Sequence, residues 1–191
     1  MRTRYTSLSS CLRFFASVDP NDRTRKPLAE PHGPCTPPQV YWDMYIDKEL
    51  PGPIEADWSK EQEAYVPGLP IDSWHTVLSR EAMHRFRAGY YASITHIDDQ
   101  IGVLLRALPP NTMVIFTSDH GELLGDHQWI RKTRALEGSA RIPFIVRLPE
   151  SMQAEAGQVR DEPIELMDIM PTTSDGGVSR RVSAAAPMPL K

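Results

Sequence analysis

From Ser79 to Leu108 the apolar positions recur every three or four residues, at Met83, Phe86, Tyr90, Ile94, Ile97, Ile101, Leu104 and Leu108. That spacing draws one stripe along an α-helix. Ser79 is placed to cap its first turn. Pro109-Pro110 end it by removing donors and forcing the preceding residue into an extended conformation. The stripe is expected to cover a sheet, with Arg85, Arg87 and Asp99 facing solvent and Asp98 close enough to the stripe to meet a buried partner.

The pattern then changes period. Thr112-Met113-Val114-Ile115-Phe116-Thr117 is an unbroken apolar run of strand length, as expected for a central strand buried on both faces. A second run covers Ile142 to Val146, and a third, Ile164 to Met167, leads into Asp168-Ile169-Met170-Pro171. Residues 12–18, with Phe14, Phe15 and Val18, read as an earlier strand. Helix and buried strands in alternation predict an α/β fold with a largely buried sheet flanked by helices. Between Asp19 and Leu69 the periodicity vanishes, and prolines at 31, 34, 37, 38, 51, 53 and 67 hold the chain in turns and extended segments. A stretch of that length is either an active-site wall or poorly ordered. Residues 174–191 are small and proline-rich, and read as a disordered tail. The domain reading is therefore an α/β domain over 1–173, including a Pro-rich active-site loop region at 19–70, followed by the tail 174–191.

Composition narrows the function classes. A chain of 191 residues with 40% hydrophobic content suffices for one domain with a real core. A formal net charge of -4 removes the electrostatic case for nucleic acid or an anionic membrane surface. No run approaches the roughly 20 apolar residues of a membrane span, and Arg13 interrupts the early apolar stretch, so a signal peptide is not expected. Two cysteines, Cys11 and Cys35, make no disulfide framework. A reducing, cytoplasmic setting is the expectation.

The chemistry concentrates after the 112–117 strand, where the functional side chains of α/β sheets gather. Asp119 and His120 pair a carboxylate with an imidazole, a donor set for a divalent cation, and Gly121 lets the backbone turn tightly. Glu122, Asp126 and His127 add two carboxylates and another imidazole, and Lys132 follows twelve residues after His120. A cation beside a lysine ammonium suits a sulfate or phosphate oxyanion. By spacing alone, an ordinary turn in which Asp119 caps backbone amides fits equally well.

The segment TSDHGELLGDHQWIRKTRALEGSARIPFIVRLP resembles the C-terminal signature of the sulfatase family, within the alkaline phosphatase superfamily. The preceding YYASITHIDDQIGVLLRAL resembles the family's helix, PHGPCTPPQVYWDMY its His-x-Pro loop, and IELMDIMPT the segment that follows. The resemblance implies part of an alkaline phosphatase-like sandwich with a mixed sheet, and hydrolysis of sulfuric esters. Carried over residue by residue, it makes Asp119 and His120 metal ligands. Lys132 would bind the sulfate oxygens, and His32 would touch the ester oxygen and assist the leaving group. Calcium is the family's usual metal, and the imidazole of His120 also admits manganese or zinc. His127 is expected to be a structural partner within its loop, and His75, His84 and His96 to lie on helix surface or in packing.

The family also needs an acidic pair after its first strand and a Cys-x-Pro-x-Arg cysteine oxidised to formylglycine. Asp19 and Asp22 do not form that pair. Cys35-Thr36-Pro37-Pro38-Gln39 imitates the motif but has Gln39 in place of arginine and lies three residues after His32. Cys35 thus reads as a small loop cysteine, and the chain holds no formylglycine nucleophile. Two classes remain open. One is a hydrolase of small sulfate esters, or of phosphonate esters as a phosphonate monoester hydrolase or phosphodiesterase relative. The other is a non-catalytic remnant that self-associates through an exposed sheet. The aromatics Tyr41, Trp42, Tyr45 and Trp58 would either face substrate or pack internally. The resemblance makes a periplasmic location the alternative for full-length members.

Overall fold

A computed structural model of the chain describes residues 31–61, 73–152 and 155–174. The strand expected at 12–18, the stretches 19–30 and 62–70 of the Pro-rich region, and the tail beyond 174 lie outside the described residues. In chain order the elements are α1 (Gln39–Trp42), β1 (Ser73–His75), α2 (Arg80–Ala107), β2 (Val114–Thr117), β3 (Trp129–Arg131), α3 (Glu137–Ala140), β4 (Phe144–Arg147) and α4 (Ile169–Ser174). They fall into two compact units, one holding 31–61, 73–109 and 120–143 and the other 110–119 and 144–174.

In the first unit α2 keeps the ends expected of it. The Ser79 hydroxyl accepts from the Ala82 N–H at 3.1 Å, and Leu108 is extended before Pro109. Its buried face, however, is Met83, Arg87, Ala88, Gly89, Ala92, Ser93 and His96, while Ile94 of the long apolar stripe is 42% exposed. Small residues win this face because a strap of the Pro-rich region lies directly on it. A Cβ at Gly89 would sit 3.0 Å from the Cys35 carbonyl oxygen and 3.2 Å from the Trp42 ring.

The strap is fastened by polar and aromatic contacts. Tyr41 donates to Asp99 Oδ2 at 2.9 Å and lays its ring 4.9 Å from that of His96. The Tyr45 and Thr95 hydroxyls are 2.6 Å apart, and His84 Nε2 donates to the Ile46 carbonyl at 2.7 Å. Within this unit, among the described residues, the surface packed on this face of α2 is the aromatic strap. Asp98 is exposed. Arg87, expected in solvent, is buried. His75 lies on β1, where its ring packs 5.0 Å from Trp129, and β1 pairs antiparallel with β3.

In the second unit β2 and β4 pair antiparallel, in register from Val114↔Arg147 to Thr117↔Phe144. The α/β class holds, but the described strands form two antiparallel pairs and not one mixed sheet. Nor is the 112–117 run buried on both faces, since Phe116 is 41% and its neighbour Ile145 61% exposed. An apolar run identifies a strand, whereas its burial depends on which segments cover it. The run Ile164–Met167 forms no strand. Glu165 and Asp168 make a reciprocal capping box, with the Glu165 N–H donating to Asp168 Oδ2 at 2.8 Å, and this starts a helical turn that continues into α4. Among the described residues no helix is long and apolar enough to cross a membrane.

Candidate oxyanion and metal site

The site is built on the loop 120–133 of the first unit. Its start is locked by two glycines. The Gly121 N–H donates to the Ser139 carbonyl at 2.8 Å, and a Cβ at Gly121 would fall 2.1 Å from the Gly138 carbonyl oxygen. Gly121 has no positive φ, so close backbone approach to α3, and not a special turn, is what excludes a side chain there. Gly138 reciprocates: its Cβ would lie 3.2 Å from the Glu122 carbonyl oxygen.

From Glu122 the chain closes on itself. The Glu122 carboxylate accepts from the Arg131 N–H in a short bond and from the Leu124 N–H at 3.4 Å. The Arg131 carbonyl in turn accepts from the Leu123 N–H at 2.9 Å. Along the loop 120–133 five non-glycine residues have positive φ: Leu124 (49°), His127 (53°), Gln128 (65°), Arg131 (71°) and Thr133 (73°). Each such residue costs on the order of 1–3 kcal/mol, so the surrounding bonds must hold the conformation in place. Buried Leu123, Leu124 and Trp129 supply the apolar anchor. Arg87 supplies the polar one, donating from Nη1 to the Leu124 carbonyl at 2.7 Å with Asp126 Oδ1 3.7 Å away.

The product of this geometry is the placement of Lys132. Its Nζ lies 2.9 Å from His32 Nε2. An ammonium can only donate, so Nε2 accepts and the imidazole proton sits on Nδ1. His32 Nδ1 is 2.9 Å from the Gly33 carbonyl, which requires a donor there, so both bonds assign one tautomer. His120 is arranged likewise, with Nδ1 2.8 Å from the Gly121 carbonyl, leaving the lone pair on Nε2. The two imidazole centroids are 6.5 Å apart, edge to face. The half-buried Lys132 ammonium thus meets the exposed His32 imidazole, and the His120 ring stands 6.5 Å from that imidazole. The group can donate hydrogen bonds to an oxyanion and hold or release a proton near it.

The remaining candidates have other employment. Asp126 accepts from the Ile54 N–H at 2.9 Å, and His127 stacks on Trp58 at 4.8 Å while its N–H donates to the Ile54 carbonyl at 2.7 Å. Both tie the Pro-rich strap to the loop. Cys35 is half-buried, with Sγ 3.7 Å from the Pro31 carbonyl. The Tyr90 phenol is pushed up to about 12, by burial first and by the nearby Glu122 carboxylate next. Asp119 is exposed and stands next to His120 in the chain. Among the described residues no three His, Cys, Asp or Glu side chains gather to hold a metal. One carboxylate and one imidazole fit part of a divalent shell, short of the roughly six to eight oxygens that calcium takes.

Sequence reasoning missed Arg87, Glu122 and Gly138 as parts of this scaffold. A signal for Arg87 was present in the small residues Ala88, Gly89, Ala92 and Ser93 beside it, which mark a close-packed helix face.

Compared with known families, residues 27–175 match the family model Sulfatase. An arylsulfatase of Clostridium perfringens (strain 13 / Type A) is 44% identical over 154 residues, covering 78% of this chain and 32% of that protein. A choline-sulfatase of Rhizobium meliloti (strain 1021) is 29% identical over 178 residues, covering 85% of this chain and 34% of the relative. Among solved structures, the phosphonate monoester hydrolase of Agrobacterium radiobacter is 36% identical with a TM-score of 0.36, covering 38% of this chain and 15% of that one. The chain spans about a third of the length of these curated relatives.

Proposed function

The chain belongs to the sulfatase family, and from that premise we propose that it carries the oxyanion-binding part of a sulfuric ester hydrolase site. The observation that supports this best is the 2.9 Å bond between Lys132 and His32. Lys132 donates to the non-bridging oxygens of a sulfate ester. Once Lys132 turns to those oxygens, His32 Nε2 is released to the ester oxygen and, when protonated, donates to the departing alkoxide. Asp119 and His120 would be ligands to a divalent cation: calcium, or manganese or zinc through the imidazole. When bound, that cation supplies Lewis-acid neutralisation of the oxyanion charge.

No Cys-x-Pro-x-Arg motif of the formylglycine type occurs in the 191 residues. Cys35 lacks the arginine of the formylglycine motif, so no step is assigned to it. The 191-residue chain therefore binds the oxyanion without turning the ester over.

The test is to assay the purified chain with 4-nitrophenyl sulfate in calcium, manganese or zinc, and to compare its affinity for sulfate and methylphosphonate. No turnover, with sulfate bound at least as tightly, is the expected result. Metal-dependent turnover abolished by Lys132→Ala would overturn the inactive reading. Tighter binding of methylphosphonate would move the site to the phosphonate ester hydrolases, whose substrates offer Lys132 similar oxygens.

A further inference from the structure

We infer that Glu122 is a positioning residue for Lys132, acting through the backbone, and that it touches neither oxyanion nor cation. The inference rests on the oxyanion reading of Lys132 and deepens it. In sequence Glu122 stands two residues after His120, where a carboxylate invites reading as a further metal ligand. The structure puts its carboxylate elsewhere. Oε1 accepts from two backbone donors, the Arg131 N–H and the Leu124 N–H. The first of these belongs to the residue immediately before Lys132.

The consequence follows from the peptide geometry. Arg131 and Thr133 both have positive φ, 71° and 73°, so Lys132 sits between two residues in a conformation that side chains disfavour. Such a stretch relaxes unless its peptide groups are held. The Arg131 N–H is held by the Glu122 carboxylate and the Arg131 carbonyl by the Leu123 N–H at 2.9 Å, so both ends of that residue are tied to the segment 122–123. Of these two ties, only the one from Glu122 comes from a side chain and can be removed by substitution. The start of the same segment is pinned to α3 by the Gly121 N–H and the Ser139 carbonyl at 2.8 Å. Removing the Glu122 tie takes away the bond on the Arg131 N–H and so loosens the placement of Lys132 beside His32.

A charge on Glu122 is not what the tie requires. Glutamine keeps an Oε1 that accepts the same N–H groups, whereas alanine does not. Four chains separate the possibilities: wild type, Glu122→Ala, Glu122→Gln and Lys132→Ala, with the Glu122→Ala/Lys132→Ala double variant closing the cycle. Each is titrated calorimetrically with sodium sulfate against sodium chloride at matched ionic strength, and the 15N shifts of the His32 ring are recorded. Glu122→Ala is expected to weaken sulfate binding about tenfold, the low end of what losing an outer-shell partner costs a site. It should also change the His32 ring shifts as Lys132→Ala does. Glu122→Gln should stay within about threefold of wild type, and Glu122→Ala should add nothing further once Lys132 is alanine.

Wild-type sulfate affinity in a folded Glu122→Ala chain overturns the inference and leaves the oxyanion reading intact. Should Glu122→Ala not fold, Glu122→Gln still decides: a loss as large as that of Lys132→Ala means the carboxylate charge itself matters, and the backbone role is wrong. If Lys132→Ala leaves sulfate binding unchanged, the oxyanion reading fails first and the inference falls with it.

Discussion

Lys132 donates to His32 Nε2 across 2.9 Å, joining two residues a hundred positions apart. The bond has a consequence for the imidazole. With Nε2 accepting from the ammonium, the His32 proton is confined to Nδ1, where the Gly33 carbonyl receives it. Nitrogen-15 NMR of the neutral ring should therefore show the Nδ1–H form in the wild type. Lys132→Ala should move population toward Nε2–H. An unchanged tautomer would mean that Lys132 does not hold His32 in solution.

The glycine clasp makes a graded prediction. At Gly121 an added methyl meets the Gly138 carbonyl oxygen at 2.1 Å, a contact that backbone must move to relieve, whereas at Gly138 the nearest atom is 3.2 Å away. Gly121→Ala should cost about 3 kcal/mol in urea unfolding and Gly138→Ala about 1 kcal/mol, within the range for overpacked sites. Equal effects would show that the close approach of the two backbones is not the constraint.

Arg87 should behave as an interior residue. Its guanidinium donates to the Leu124 carbonyl at 2.7 Å and faces Asp126, both in the loop that carries Lys132. Arg87→Met keeps the stem and removes the donors, so it should destabilise by about 2–3 kcal/mol, as expected for a buried bond from a charged donor. Denaturant titration reads this directly. A loss below about 0.5 kcal/mol, usual for surface positions, would return Arg87 to solvent.

Tyr90 predicts an alkaline limb in the stability profile. Its folded pKa is raised from 10.0 to about 12 by burial first and by nearby Glu122 next. Between those values the unfolded chain has released the phenolic proton and the folded chain retains it. Stability is therefore complete below about pH 10 and falls as pH rises toward about 12. Thermal melts across that window should show the fall in the wild type and a smaller one in Tyr90→Phe. Identical slopes would place the titration elsewhere.

How much of this was legible follows from the kind of signal each element carries. The ends of α2 were readable because Ser79 and Pro109 act locally, on their own neighbours in the chain. Its buried face was not, because the longest apolar side chains lost to the small residues Ala88, Gly89 and Ala92, whose value depends on a strap contributed by Tyr41, Trp42 and Tyr45. β2 was readable as a strand but not as a half-exposed one, and the capping box of Glu165 and Asp168 outweighed the three apolar residues of 164–167. In the site, Asp119, His120 and Lys132 stood out by type and spacing. That His32 meets Lys132 was not legible, since no local pattern links positions a hundred residues apart; the resemblance gave each only a role at the same ester.

The central claim is that Lys132 and His32 form an oxyanion-binding pair. Calorimetric titration of the full chain with sodium sulfate, referenced to sodium chloride at equal ionic strength, tests it most directly. A saturable sulfate heat in the wild type, weakened about tenfold or more by either Lys132→Ala or His32→Ala in folded protein, is the predicted result; a tenfold change corresponds to about 1.4 kcal/mol. Sulfate affinity equal in wild type and Lys132→Ala would contradict it.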